Sequence, residues 1–147
     1  LNIFFGEQKM ETLILEPVVV LVAWTLVILG WMMSTRLTYL TKNDILPQEL
    51  ENASDVAVKL PARIRRVSDN YNHLHEQPTL FYVLAIGLAV MGTVESAQIL
   101  LAWVYVGSRV IHSIIQCTYN SVMHRFLLFL VGTAALLGIV GIELASW

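Results

Sequence analysis

Long apolar stretches separated by shorter polar ones dominate this chain. The first, from Pro17 to Thr35, carries no charge, and the last, over residues 126–142, carries none either. About 20 apolar residues are needed for a helix to cross a bilayer. We therefore predict four membrane spans at about 13–38, 62–92, 95–119 and 122–145. Together they form one all-α, up-down-up-down membrane domain over residues 1–147.

The second span begins with a polar segment, Arg63 to Pro78, that runs directly into an apolar one. Read as one helix, it places Arg66, Asn70, His73 and Gln77 at i, i+4, i+7 and i+11, on a single face. Polar groups on a membrane helix are usually directed into a buried or interfacial site. Pro78 cannot donate a backbone hydrogen bond, so we expect a local kink there.

The third span repeats this pattern in reverse order. It is apolar through Val106 and then carries Arg109, His112 and Gln116 at i, i+3 and i+7. The polar ends of the second and third spans should meet the start of the fourth at one face of the membrane. The side chains predicted to share this depth are Arg66, Asn70, His73, Glu76, Arg109, His112, Gln116 and Arg125.

The composition indicates an integral membrane protein. Hydrophobic residues make up 56% of the 147 residues and charged residues 14%, against about 45–50% and about 25% in soluble domains. The net charge of −2 offers no basic surface for nucleic acid. The single cysteine, Cys117, excludes an internal disulfide. The four histidines lack a metal-ligand spacing, so we predict no metal site.

The basic residues predict the orientation of the chain. Eight of the nine lysines and arginines lie on or beside the connections between spans one and two and between spans three and four. In an up-down-up-down bundle these connections share a side, which the positive-inside rule makes cytoplasmic. Both termini are then on the non-cytoplasmic side.

Three arginines of the predicted polar cluster, Arg66, Arg109 and Arg125, have few acidic neighbours in sequence. An unpaired cation near hydrocarbon costs roughly 2.5–3.5 kcal/mol even on permissive scales. Guanidinium groups bind carboxylates in a bidentate fork, so an anionic ligand is one interpretation. Two alternatives stay open: the arginines reach phospholipid head groups, or they pair internally with Asp69 and Glu76.

The spacing of these residues resembles that of the membrane-associated proteins in eicosanoid and glutathione metabolism, the MAPEG family. The resemblance is carried by Arg66-x3-Asn70 before a proline and an apolar span, then Arg109-x2-His112, with Arg125 sixteen residues after Arg109. The phrases at 70–78 and 105–113 are similar to an uncharacterised bacterial branch of the family. The bacterial inner membrane is therefore the expected location.

The resemblance implies a homotrimer that holds glutathione, as a co-substrate, in a cleft between neighbouring subunits. It also implies transferase, peroxidase or isomerase chemistry on lipophilic small molecules, in contact with membrane lipids. Independently of the resemblance, we expect the polar stripes of several subunits to face one another, because one subunit cannot hide every polar group from lipid.

By position, the resemblance implies particular roles for residues of this chain. Arg36, Asn70, His112 and Arg125 match positions that contact glutathione, and Arg66 and Arg109 match framework or cleft arginines. Arg125 is the implied catalytic residue, because its charge favours the thiolate. His73 and Gln116 occupy binding positions where eicosanoid-branch members have glutamate and tyrosine, and Asp69 stands where they have arginine. The alternative function is a non-catalytic membrane protein of this fold that binds lipid or a partner.

Overall fold

The computed structural model describes residues 10–147, and these residues form helices and no strand. The helices are α1 (Leu15–Lys42), α2 (Ala53–Lys59), α3 (Ala62–His73), α4 (Gln77–Met91), α5 (Ser96–Cys117) and α6 (Val122–Ala145), with a 3-10 turn at Pro47–Leu50. Four helical stretches are long and apolar enough to cross a membrane: Met10–Lys42, Ala62–Met91, Ser96–Cys117 and Val122–Ala145. The prediction of an all-α domain with four membrane-capable helices is confirmed.

The second stretch consists of two helices rather than one kinked helix. α3 ends at His73, and α4 begins at Gln77 after the three residues 74–76. Pro78 lies in the first turn of α4, where its missing N–H costs nothing. Its ring would clash with the carbonyl four residues earlier if the helix were continuous. The chain therefore breaks just before the proline, slightly upstream of the expected kink.

Contacts between the helices show that neighbours run antiparallel. At one end of the α5–α6 pair, the Gln98 Nε2 donates to the Ile139 carbonyl at 3.4 Å. At the other end, Arg125 reaches His112. Sixteen buried apolar side chains, including Ile28, Phe81 and Tyr105, form one core shared by the four stretches.

The connection between α1 and α3 is ordered and contains the 3-10 turn at Pro47–Leu50 and the short helix α2. Leu40, Leu50, Leu60 and Ile64 form a separate buried cluster that anchors the 3-10 turn and α2 to the ends of α1 and α3. Lys59 also pairs with Glu49 at 2.7 Å. Few apolar residues are enough to fold this segment because each one is buried against a spanning helix.

The outward faces of the spans are apolar and exposed. The most exposed large side chains include Val19 (66%), Val83 (74%), Leu100 (65%) and Leu137 (67%), one from each spanning stretch. Soluble monomers rarely expose so much apolar surface. This surface fits contact with membrane lipid.

Candidate functional site

The polar stripe of α3 and α4 packs against the polar stripe of α5 within the same chain. Arg66 Nη1 donates to the Thr118 carbonyl at 3.1 Å, and Asn70 Nδ2 donates to Gln116 Oε1 at 3.1 Å. We call these two contacts, together with the His73–His112, Gln77–Arg109 and His112–Arg125 contacts described next, the polar ladder.

The ladder continues toward the membrane interior. The rings of His73 and His112 meet edge to face with centroids 5.0 Å apart. One step deeper, Arg109 Nη2 donates a hydrogen bond to Gln77 Oε1. Because the two stripes run antiparallel, residues later in α3 and α4 pair with residues earlier in α5. The stripes therefore pack against one another inside one subunit. That the stripes of several subunits also face one another stays a prediction.

Arg109 is the deepest charge of the ladder and is 1% exposed. Its guanidinium carbon lies 5.0 Å from the centre of the Tyr105 ring and 5.2 Å from that of Phe129, which is cation–π geometry. Gly132 of α6 makes room for it: a Cβ at that position would lie 2.9 Å from Arg109 Nη2. Two of its nitrogens, Nε and Nη1, have no hydrogen-bond partner among residues 10–147.

Arg125 lies in the first turn of α6 and joins that helix to the ladder. Its Nη1 donates to Asn120 Oδ1 at 2.6 Å, and its Nε donates to His112 Nε2 at 3.4 Å. Nε2 of the buried His112 accepts this bond, so it carries no proton in this arrangement. Asn120 has a φ of 55°, in the left-handed region that asparagine tolerates, and ends the turn before α6.

No carboxylate neutralises the ladder arginines in the part of the chain that the structure describes. Its two ion pairs are Lys59–Glu49 and His73–Glu76, the second at 2.8 Å. Asp69 is exposed and pairs with none of Arg66, Arg109 and Arg125. Internal pairing with Asp69 and Glu76 therefore does not account for these cations.

Several buried polar atoms beside the arginines also lack partners within residues 10–147. They are Asn70 Oδ1, Tyr105 Oη and Ser113 Oγ. Buried polar groups are almost always satisfied by protein, water or ligand. Within the described residues, these atoms and the two nitrogens of Arg109 therefore form a buried polar group with unused hydrogen-bonding capacity.

Arg36 is the candidate residue that the fold keeps apart from the rest. It lies half-buried on α1 and forms no hydrogen bond or ion pair with the other candidates in the described structure. Two cavities, of about 520 and 190 Å³, lie against α1, and ladder residues line neither. The other seven candidates are brought together: Arg66, Asn70, His73, Arg109, His112, Gln116 and Arg125.

Four residues that contact Arg109 or Arg125, or make room for them, are not among the predicted site residues: Gln77, Asn120, Phe129 and Gly132. Gln77 lies on the same predicted helical face as Arg66, Asn70 and His73, so its spacing in the sequence indicated that it belongs to the site. Asn120 lies in a recognisable turn, but its contact with Arg125 depends on the orientation of α6. Phe129 and Gly132 resemble ordinary membrane-helix residues, and only the packing of α6 on α5 distinguishes them.

The comparisons with known proteins agree with this architecture. The model of the MAPEG family matches residues 14–145, nearly the whole chain and all four spans. Searches of curated proteins and of solved structures found no match. The match includes every ladder residue, Arg36 and Arg125. The chain belongs to the MAPEG family and is an integral membrane protein.

Proposed function

We propose that this protein is a glutathione-dependent membrane transferase or peroxidase that acts on lipophilic electrophiles. In this proposal, glutathione binds at the polar ladder, in a cleft between subunits of a homotrimer that opens toward the cytoplasm. Family membership supports the proposal. The observation that carries it is that, within residues 10–147, Arg66, Arg109 and Arg125 donate to uncharged acceptors and form no ion pair.

The charge of the ladder favours an anionic ligand. Arg66 and Arg125 are partly exposed, so a ligand can reach them, whereas Arg109 lies beneath and adds its field from a buried position. An electrostatic interaction is stronger in such a poorly solvated site than in water. Glutathione carries two carboxylates, and guanidinium groups bind carboxylates through paired N–H donors.

Arg125 is positioned to stabilise a thiolate. When bound, glutathione supplies a sulfur nucleophile; in the transferase reaction this sulfur forms a bond to carbon, while the leaving group departs with its electron pair. The guanidinium charge and the nearby N-terminus of α6 both favour the deprotonated thiol. The bonds to His112 and Asn120 fix the plane of the guanidinium group. The peroxidase reaction uses the same thiolate: a hydroperoxide and two glutathione molecules give an alcohol, water and glutathione disulfide.

A trimer would complete the site. Arg36 matches a glutathione-contacting position of the family, yet α1 does not bring it to the ladder of its own chain. We infer that Arg36 acts on the ladder of a neighbouring subunit. One chain would then contribute the ladder and its neighbour the Arg36 guanidinium.

Purified protein in detergent, assayed with glutathione and 1-chloro-2,4-dinitrobenzene, tests the proposed activity. We expect thiol conjugation in the wild type and a loss of about tenfold or more in Arg125→Gln, because a charged hydrogen-bond donor is removed. Arg65→Gln, which removes a charge outside the ladder, is the matched control and should retain activity.

The same preparation distinguishes the non-catalytic alternative. Absence of glutathione binding at millimolar concentration would overturn the proposed function. A phospholipid that copurifies at the ladder and is not displaced by glutathione would support a lipid-binding protein of the same fold.

A further inference from the structure

The cavity of about 520 Å³ lies between α1 and α3, on the side of α3 next to the ladder face. Its volume falls within the range of about 300–1,000 Å³ that is typical of small-molecule sites. None of the candidate glutathione-binding residues lines it. Its chemistry therefore needs an explanation separate from the proposed function.

One end of the cavity is polar and positively charged. Lys42, in the last turn of α1, and Arg63, in the first turn of α3, both line it, together with Thr38 and Tyr39. Neither cation forms an ion pair with a carboxylate among residues 10–147. Two unpaired cations at the edge of a membrane domain favour a bound anion.

The rest of the cavity is lined by apolar side chains and by Ser34 and Thr35, whose hydroxyl groups donate to the Trp31 carbonyl of their own helix. Trp31, Ile64, Val67 and Cys117 line it, and the last three are buried. Trp31 precedes Lys42 by eleven residues, which places it about 16 Å deeper along α1 at 1.5 Å per residue. The cavity thus runs from a cationic end toward the hydrocarbon core of the bilayer.

We propose that this cavity binds a single-chain anionic amphiphile. Its carboxylate or phosphate lies between Lys42 and Arg63, and its alkyl chain extends past Val67 toward Trp31. The volume suits one alkyl chain, so a fatty acid or a lysophospholipid fits better than a diacyl phospholipid. The site is distinct from the proposed glutathione site, because it shares no residue with the ladder.

Cys117 provides a direct test, because it lines the cavity and is the only cysteine of the chain. The rate at which N-ethylmaleimide modifies the full-length protein should fall when an amphiphile fills the cavity. Palmitate or palmitoyl lysophosphatidic acid, at ten times its Kd, should slow modification by about tenfold. The amphiphile that protects Cys117 at the lower concentration shows whether the site prefers a carboxylate or a phosphate head group. Uncharged monopalmitoylglycerol should protect much less.

Two variants test the role of the cations. Lys42→Gln and Arg63→Gln should each weaken protection by the anionic amphiphiles by about tenfold, because each removes a charged hydrogen-bond donor. Arg65→Gln, two residues along α3 and not part of the cavity lining, should leave protection unchanged. Equal protection by charged and uncharged amphiphiles, or protection unaffected by either cavity variant, would overturn the proposal.

A second measurement avoids any dependence on thiol reactivity. A fatty acid with a diazirine near its methyl end should crosslink to peptides that contain Trp31 or Val67, and unlabelled palmitate should compete. Crosslinks spread over the exposed faces of α1 and α6, without competition, would show ordinary lipid contact and overturn the proposal.

Discussion

At the scale of single residues, Arg109 shows how the chain accommodates a buried charge without a carboxylate. The guanidinium donates to Gln77, lies over two aromatic rings and fits against a glycine. Each contact lowers the cost of burial without neutralising the charge. The remaining positive field is the property on which the proposed function depends.

Gly132 should be indispensable to this arrangement. In Gly132→Ala, the new Cβ would lie 2.8 Å from Ser108 Oγ and 2.9 Å from Arg109 Nη2. We expect a loss of about 1–3 kcal/mol from overpacking, measured as a lower Tm in detergent. Gly141→Ala on the same helix is the control: nothing lies within 4 Å of its Cβ, and alanine in a helix is slightly favoured over glycine. Equal Tm values for the two variants would contradict the assigned packing.

Gln77 should stabilise the protein chiefly through Arg109. Gln77→Leu leaves Arg109 Nη2 without its acceptor, which should cost about 1–3 kcal/mol. Adding Arg109→Met removes the orphaned charge, so the double variant should be more stable than Gln77→Leu alone. Chemical unfolding of the wild type, Gln77→Leu, Arg109→Met and the double variant gives the coupling energy between the two side chains. Additive effects would show that the two side chains do not interact.

At the scale of elements, the residue spacing predicts both polar stripes and the face of each helix that carries them. Arg66, Asn70 and His73 lie on one face of α3, and Arg109, His112 and Gln116 lie on one face of α5. Spacing within a helix cannot show which helix faces which, so the pairing of the stripes inside one chain was not predictable. The break before Pro78 was predictable in kind, because proline chemistry is local.

The connection between α1 and α3 was the least predictable element. Its helical turns depend on burial of Leu50 and Leu60 against the spanning helices, which local sequence does not encode. Its order should also depend on pH. The Lys59 ammonium and the Leu46 N–H hold the pKa of the Glu49 carboxyl below its usual 4.5. The stabilisation that the ionised Glu49 carboxylate gives to this connection is present above pH 4.5. It is lost as the pH falls through the lowered pKa that Glu49 has in the folded state.

Hydrogen exchange can measure this pH dependence. After correction for intrinsic rates, exchange in residues 46–60 should accelerate below pH 4.5 in the wild type. Glu49→Gln should show fast exchange already at neutral pH and no further change in this range. Glu51→Gln removes a nearby exposed carboxylate and should behave as the wild type. A wild-type profile that stays flat below pH 4.5 would contradict a role for the Lys59–Glu49 pair.

At the scale of the whole molecule, the four antiparallel spans bring the polar ends of α3, α5 and α6 to one side. One chain therefore assembles the ladder but leaves Arg36 on a separate face. Native mass spectrometry from mild detergent should show a trimer. In that trimer, Arg36→Gln should weaken glutathione binding although, in the described structure, this residue forms no hydrogen bond or ion pair with the ladder of its own chain. A monomer that binds glutathione normally would refute the shared site.

Titration of the purified protein with glutathione and with its diethyl ester tests the central claim most directly. Both ligands carry the thiol, but only glutathione carries the two carboxylates that the ladder arginines are proposed to bind. We expect saturable binding of glutathione by calorimetry and binding of the diester that is at least about tenfold weaker. Equal affinity for both ligands, or no binding of either, would contradict the claim that uncompensated arginines form an anion site.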